Sequence, residues 1–234
     1  MEKTNQTMLL PKFQWGGVES KYKNLSLSLI ENPTRENLTR LYKFFDENIN
    51  LNINITDEIK NYLKHNPNCL IVGNHQFSTS SLWIKNNNQP LYTGFPLWQW
   101  MLQKAIPNSK TIAKTTGYSE IEKIVGYLEL PSSRGTKFMS DSLQSNCLFL
   151  FPEGGAKFLA EEVGGGFIHS ARANNQTHII LMAMTDMPTF KARVDLFDLL
   201  DITKQGWETQ EESVVRIKQE FKHKIAIHKI RNKF

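Results

Sequence analysis

Two short runs of uninterrupted apolar residues constrain the fold of this chain more than any other feature. One covers residues 69–72 and is followed by Gly73, and the other covers residues 147–151. Strands that are apolar at every position are typical of parallel sheets, because helices cover both faces of such sheets. A third run of the same kind covers residues 179–185. The sequence therefore predicts a central sheet whose middle strands are buried on both sides.

Segments with helical periodicity alternate with these runs. Apolar residues recur on one face of residues 35–48, which indicates a helix. Further helices are predicted at residues 55–65, 119–127, 135–144, 167–174 and 208–231. This alternation predicts an α/β fold with a mostly parallel or mixed central sheet flanked by helices.

Two regions follow from this pattern. Residues 1–65 are predicted to form an N-terminal helical region. Residues 66–234 are predicted to form the α/β domain, which ends in a basic amphipathic helix. Neither a long low-complexity linker nor an internal repeat interrupts the sequence.

Polar residues that are suited to catalysis follow two of the predicted strands. Asn74 and His75 come directly after the first apolar run, and Glu153 comes after the second. In open α/β sheets, ligands bind outside the carboxyl ends of the strands, so these residues are expected to line one crevice. A single histidine after a strand is more often structural than catalytic. The site hypothesis therefore needs more than His75.

The same segments resemble motifs of the glycerol-3-phosphate and 1-acylglycerol-3-phosphate acyltransferase family. The first family motif is Asn-His, four residues and then Asp, and residues 74–80 read Asn-His-Gln-Phe-Ser-Thr-Ser. The third motif is Phe-Pro-Glu-Gly-Thr-Arg, and residues 151–156 read Phe-Pro-Glu-Gly-Gly-Ala. Arg134, after a short extended segment, is similar to the second motif, and residues 179–188 are similar to the fourth. The resemblance covers about residues 65–190 and implies a glycerolipid acyltransferase-like fold.

The resemblance also implies an activity. A family member moves an acyl group from acyl-CoA or acyl carrier protein to a hydroxyl (or amine) of a lysophospholipid, glycerolipid or related acceptor. It implies that His75 is the general base, that Ser80 occupies the position of the catalytic carboxylate, and that Arg134 holds an acceptor phosphate. The other acceptor-binding residues that it implies are Asn74, Glu153, Gly154 and Gly155. The acyl donor and the lipid acceptor are thus the expected partners, and no cofactor or metal is expected.

Ser80 leaves the predicted base without its usual carboxylate. In the Ser-His-Asp template, loss of the orienting carboxylate lowers turnover by as much as about 10⁴-fold. Either Glu120, Asp141 or Glu153 replaces it in space, or the enzyme is slow, or the chain is an inactive homologue that binds acyl groups or lipids. A lipid or thioester hydrolase that uses a serine of residues 78–81 is a further alternative, although no Gly-x-Ser-x-Gly elbow is present.

The charge distribution suggests a partner. The net charge is +5, and cations concentrate in the last predicted helix, which is either a solvated tail or a contact with an anionic phospholipid surface. Nucleic-acid binding is not expected, because no fold signature for it is present. Without a signal peptide or an apolar run of about 18–20 residues, the expected location is cytoplasmic, with peripheral contact at the inner face of the membrane as an option.

The sequence also predicts the surroundings of two cysteines and of one aromatic segment. Cys69 and Cys147 each begin an apolar run and are expected to be free, buried thiols. The aromatic segment that contains Phe95, Trp98 and Trp100 either lines an acyl-chain channel, enters a membrane interface or packs in the core.

Overall fold

A computed structural model describes residues 17–73, 83–86, 89–92, 94–113, 119–131, 133–152, 163–187 and 191–232. The helices in these ranges are α1 (Gly17–Glu31), α2 (Arg35–Asn48), α3 (Asp57–His65), α4 (Gly94–Ala105), α5 (Ser119–Val125), α6 (Gly135–Leu143), α7 (Gly166–Ala173) and α8 (Gln210–Asn232). The strands are β1 (Asn50–Ile55), β2 (Leu70–Gly73), β3 (Trp83–Asn86), β4 (Gln89–Tyr92), β5 (Ser109–Ala113), β6 (Leu128–Glu129), β7 (Cys147–Leu150), β8 (His178–Met187) and β9 (Lys191–Asp201).

Seven of these strands form one mixed sheet in the order β1-β9-β8-β2-β7-β5-β6, and β3 and β4 form a separate antiparallel pair. Strands β8, β2, β7, β5 and β6 are mutually parallel. Strand β9 runs antiparallel to β8, and β1 runs parallel to β9. This arrangement confirms the predicted α/β fold with a mixed sheet flanked by helices.

Helices cover both faces of the sheet. On one face, Cys69 and Ile71 belong to a core that also contains the buried side chains of α1, α2 and α4. On the other face, Leu70 and Val72 belong to a core with the buried side chains of α6, α7 and α8. Because alternate residues of β2 enter different cores, every position of this strand has to be apolar.

Local signals define the start of two predicted helices. The hydroxyl of Thr34 accepts a hydrogen bond from the Asn37 backbone N–H at the start of α2. The hydroxyl of Thr56 does the same for the Ile59 N–H at the start of α3. Both threonines are extended residues that satisfy a donor in the first helical turn, which is the usual function of an N-cap.

The sequence analysis missed β1 and β9. Along β1, exposed asparagines alternate with half-buried aliphatic residues, and asparagine is disfavoured in strands. Strand β9 contains three aspartates, which resemble loop residues in the sequence. The structure shows that Asp195 and Asp198 bond to basic residues of α8 instead. The predicted helical region thus contributes β1 to the main sheet, while the division between residues 65 and 66 stays a prediction.

The sequence analysis also missed helix α1, which begins at Gly17. Tyr22 and Leu29 of this helix are buried in the same core as α2. Between Asn24 and Leu29, polar residues alternate with leucines, and this period-two pattern is typical of a strand rather than a helix.

Candidate functional site

The candidate site lies where parallel strands end together. Strands β2 and β7 are direct neighbours, and Val72 lies opposite Leu150. We call this side of the sheet the carboxyl edge; it is defined by the last residues of five parallel strands, Gly73, Leu150, Ala113, Glu129 and Met187. The opposite side is the amino edge, defined by the first residues of the same strands, Leu70, Cys147, Ser109, Leu128 and His178.

Among the predicted site residues, the structure describes Arg134. The others lie outside the described residues, namely Asn74, His75, Ser80, Glu153, Gly154 and Gly155. Their roles, and that of Ser80 in particular, stay predictions. The structure does describe β2 and β7, the two strands that end just before Asn74 and Glu153 in the sequence.

Close packing surrounds the last residue before Asn74. A Cβ atom built on Gly73 would lie 2.9 Å from Phe149 Cε2 and 3.3 Å from the carbonyl oxygen of Met182. The Phe149 ring contacts Phe151 edge to face, with 4.8 Å between centroids. Phe151 contacts Trp98 in the same way, at 5.6 Å. An aromatic layer therefore lies directly beneath the point where the chain continues to His75.

The structure decides the role of the two tryptophans in α4. Trp98 and Trp100 are both buried in the core. The indole N–H of Trp100 donates a hydrogen bond to the Asp46 carboxylate on α2. These contacts support core packing for both side chains, while the Phe95 side chain lies outside the described part of the chain.

Helices α6 and α7 both begin at the carboxyl edge. The Gly164 N–H, just before α7, donates to the Pro152 carbonyl, two residues beyond β7. The Ser170 hydroxyl of α7 donates to the Thr136 carbonyl in the first turn of α6, so the two helix starts are adjacent. At neither N-cap does a side chain bond to the helix. The first-turn N–H groups of a helix carry partial positive charge, and this edge therefore favours an anionic group.

Arg134 is the N-cap of α6 and has a left-handed backbone, with φ 61° and ψ 25°. This conformation costs a residue with a side chain about 1–2 kcal/mol. The Arg134 side chain is exposed. Its backbone lies at the adjacent starts of α6 and α7. A guanidinium is a group that binds phosphate with two parallel hydrogen bonds.

Two of the acids that the sequence offered as replacements for the missing aspartate have other partners. Glu120 pairs with Lys123 at 2.9 Å, and its side chain is largely exposed. Asp141, in the second half of α6, lies 4.0 Å from Lys137 and is also exposed. Glu153 lies outside the described residues. Neither Glu120 nor Asp141 has the burial expected of a carboxylate that orients an imidazole.

The structure adds a carboxylate that the sequence analysis did not name. Glu122 of α5 is only 7% exposed. Helix α5 connects β5, which ends at the carboxyl edge, to β6, whose Leu128 lies opposite Ile112 near the end of β5. Helical spacing was the available signal, since Glu122 lies one residue after Ile121 and three before Val125 on the buried face of α5.

An imidazole–carboxylate pair that the sequence analysis missed lies on the α8 face of the sheet. His228 Nε2 is 3.2 Å from Asp195 Oδ2, and the Asp195 Oδ1 atom accepts hydrogen bonds from Asn54 and Arg193. Burial raises the pKa of Asp195, but the hydrogen bonds from His228, Asn54 and Arg193 outweigh it, and the net pKa is below the usual value. This pair is two strands from β2, about 10 Å at normal strand spacing.

The two cysteines are free and buried, as predicted. Their sulfur atoms lie 3.1 Å apart at the amino ends of β2 and β7. Their mutual hydrogen bond and their burial raise the pKa of Cys69, and thiols of this kind are poor nucleophiles. They lie at the edge of the sheet opposite the candidate site.

In the described ranges, no cluster of three or more His, Cys, Asp or Glu side chains is arranged to hold a metal ion. None of the described helices combines the length and the apolar character that crossing a bilayer requires.

No protein-family model matches the sequence, and no curated protein matches it either. Among solved structures, the 1-acyl-sn-glycerophosphate acyltransferase PlsC from Thermotoga maritima is similar, with a TM-score of 0.44 and 13% identity, over 89% of this chain and 94% of that chain. A similarity of this extent does not by itself assign a family or an activity.

Proposed function

We propose that this chain is an acyltransferase. In this proposal it moves an acyl group from acyl-CoA or acyl carrier protein to a hydroxyl (or amine) of a lysophospholipid, glycerolipid or related acceptor, with His75 as the general base. One observation carries the proposal: the strands that precede the Asn-His and Pro-Glu-Gly segments are parallel neighbours, with Val72 opposite Leu150. The two motifs therefore leave the sheet side by side.

Covalent geometry limits how far the motif residues can lie from this edge. Consecutive Cα atoms are about 3.8 Å apart, so His75, two residues after Gly73, has its Cα within about 8 Å of Gly73. Glu153 directly follows Pro152, whose carbonyl is bonded to Gly164. Both motifs must therefore begin at the carboxyl edge, close to the starts of α6 and α7.

The proposed chemistry uses His75 twice. Neutral imidazole takes the proton of the acceptor hydroxyl while the hydroxyl oxygen attacks the thioester carbonyl carbon. The tetrahedral intermediate then collapses, its carbon–sulfur bond breaks, and the imidazolium returns the proton to the departing thiolate. Arg134 and the helix starts stabilise the anionic part of the acceptor.

Glu122 is our candidate for the carboxylate that Ser80 does not supply. Glu122 is buried on α5, the helix between β5 and β6 at the carboxyl edge. A carboxylate that is shielded from water attracts an imidazolium more strongly than an exposed carboxylate does. Glu122→Gln should then lower the rate and shift the pH profile, while retaining the shape of the side chain.

The experiment compares wild type with His75→Ala by mass spectrometry of products, using mixed acyl thioesters and a panel of lipid acceptors. Removal of a general base costs about 10²–10⁴-fold in rate, so we expect the acylated product only with wild type. His65→Ala is the matched control, because His65 is an exposed histidine at the end of α3, on another part of the surface. Unchanged transfer by a folded His75→Ala protein would show that the proposal is wrong.

Two other outcomes identify the alternatives. If wild type leaves every thioester intact but carries co-purified lipid in native mass spectrometry, the chain is an inactive lipid-binding homologue, as the serine at position 80 allows. If free fatty acid forms without an acceptor, the chain is a hydrolase. Either result would replace acyl transfer as the function.

A further inference from the structure

The last part of α8 combines cations with an exposed apolar side chain. Residues 221–234 contain five lysines or arginines and no aspartate or glutamate, whereas the first turn of α8 contains Glu211 and Glu212. Ile230 is 78% exposed, and the neighbouring Arg231 is exposed as well. The helix dipole explains cations at a helix C-terminus, but it does not explain an exposed isoleucine among them.

Contacts along α8 fix its direction. Near the start, Arg216 Nη2 donates a hydrogen bond to the carbonyl of Thr203, which lies beyond the last residue of β9. Near the end, His228 bonds to Asp195 in the middle of β9. Helix α8 therefore runs antiparallel to β9, away from the amino edge and towards the carboxyl edge.

The sheet register shows how far the helix reaches. Gly73 lies opposite Met182, and the next residue of β8, Ala183, lies opposite Asp195. His228 is thus about level with Gly73, the last residue of β2. The last turn of α8 extends farther in the same direction, which places Ile230 at the same edge as the candidate site.

The inner face of α8 is held on the sheet. The buried side chains at four-residue intervals are Ser213, Ile217, Phe221 and Ile225. Lys224 adds an ion pair with Asp198 at 2.7 Å. The outward face, with Lys222 and Ala226, stays exposed. Lys222, Ile230 and Arg231 are therefore displayed on a fixed surface, rather than on a tail.

We propose that the C-terminal end of α8 docks on an anionic phospholipid surface, so that the carboxyl edge faces the lipid. Cations near a bilayer are attracted to anionic headgroups, and an exposed isoleucine can enter the headgroup region. Charge complementarity favours this partner, because residues 221–234 contain five lysines or arginines and no aspartate or glutamate. Docking goes beyond the proposed function, since it does not require acyl transfer.

The test is co-sedimentation of full-length protein with vesicles of phosphatidylcholine alone or mixed with phosphatidylglycerol. All variants carry His75→Ala, so that binding is measured independently of turnover. We expect binding to the mixed vesicles that weakens as salt is added. The Lys222→Gln/Arg231→Gln variant should lose about thirtyfold in affinity, at about tenfold per 1.4 kcal/mol. Ile230→Asn should lose about tenfold.

Matched variants separate this surface from general charge and apolarity. Lys43→Gln/Lys64→Gln removes the same charge from exposed positions on α2 and α3. Trp207→Ala removes a 77% exposed tryptophan that precedes α8, at the other end of the helix. Both should bind as wild type does. Equal loss in these controls, absence of binding to anionic vesicles, or tighter binding to duplex DNA at the same salt would each overturn the proposal.

Discussion

The two edges of the sheet satisfy their polar groups in different ways. At the amino edge, Gln176 accepts a hydrogen bond from the buried Leu70 N–H and donates one to the Asn68 carbonyl. Asn68 in turn donates to the Gln144 carbonyl at the end of α6. At the carboxyl edge, the same helix α6 begins at a left-handed arginine without a side-chain cap.

This difference indicates that the amino edge contributes to stability and the carboxyl edge to function. A backbone group that is hydrogen-bonded to a side chain contributes to folding but is not available to a ligand. An uncapped helix start keeps its donors available, and a left-handed arginine costs stability that the fold has to supply elsewhere. We therefore expect substitutions at the amino edge to change the free energy of unfolding, and substitutions at the carboxyl edge to change catalysis.

The largest effect on stability should appear at Gly73, because this residue is tightly packed and also lies two residues before His75. In Gly73→Ala the new methyl group would lie against Phe149 and the Met182 carbonyl. We expect a loss of about 3 kcal/mol in the free energy of unfolding, at the upper end of the range for overpacking. Activity should fall as well, because His75 is only two residues away. Urea denaturation and product formation are the two measurements.

A second substitution tests the cause. Phe149→Leu shortens the side chain that approaches Gly73, so the double variant should lose less stability than the sum of the two single variants. If the losses of the two single variants simply add in the double variant, the Phe149 ring is not what excludes a side chain at position 73. Close packing at the carboxyl edge would then not explain the effect of Gly73→Ala.

Much of the fold could be predicted because each central element carries its own signal. Strand β2 is apolar at every position, and α2 has a regular apolar face. Strands β1 and β9 have no such signal, because their asparagines and aspartates are explained only by the edge position of β1 and by the basic residues of α8. Those partners are far away in the sequence, so local patterns do not reveal them.

The candidate site could be predicted only in part for the same reason. Strand ends identify where Asn74 and His75 leave the sheet, since that is a local property. The burial of Glu122 depends on how α5 packs on α4. The direction of α8 depends on its pairing with β9, through contacts such as His228 with Asp195. A basic helix is visible in the sequence, but the edge that it reaches is not.

An intermediate effect is expected at the amino edge. Gln176→Ala leaves the Leu70 N–H buried without its acceptor and removes the donor to the Asn68 carbonyl. We expect a loss of about 2 kcal/mol in the free energy of unfolding, with kcat and KM unchanged. Gln144→Ala is the control, because this exposed residue contributes its backbone carbonyl and should be neutral. A drop in kcat for folded Gln176→Ala would mean that the two edges are coupled.

The smallest change in stability, with the opposite sign, is expected at Arg134. Glycine tolerates the left-handed backbone, which stabilises Arg134→Gly, whereas the greater entropy of the unfolded glycine chain destabilises it. The variant should therefore be as stable as wild type or more stable by up to about 1 kcal/mol. Arg134→Ala keeps the strain and should match wild type. Both variants should raise KM for a phosphate-bearing acceptor, and Arg134→Lys should restore it only partly, because an ammonium lacks the planar fork. Thermal denaturation and acceptor titrations give the two readouts. If Arg134→Gly were less stable and kept its KM, the left-handed start of α6 would serve folding, and the carboxyl edge would no longer differ from the amino edge.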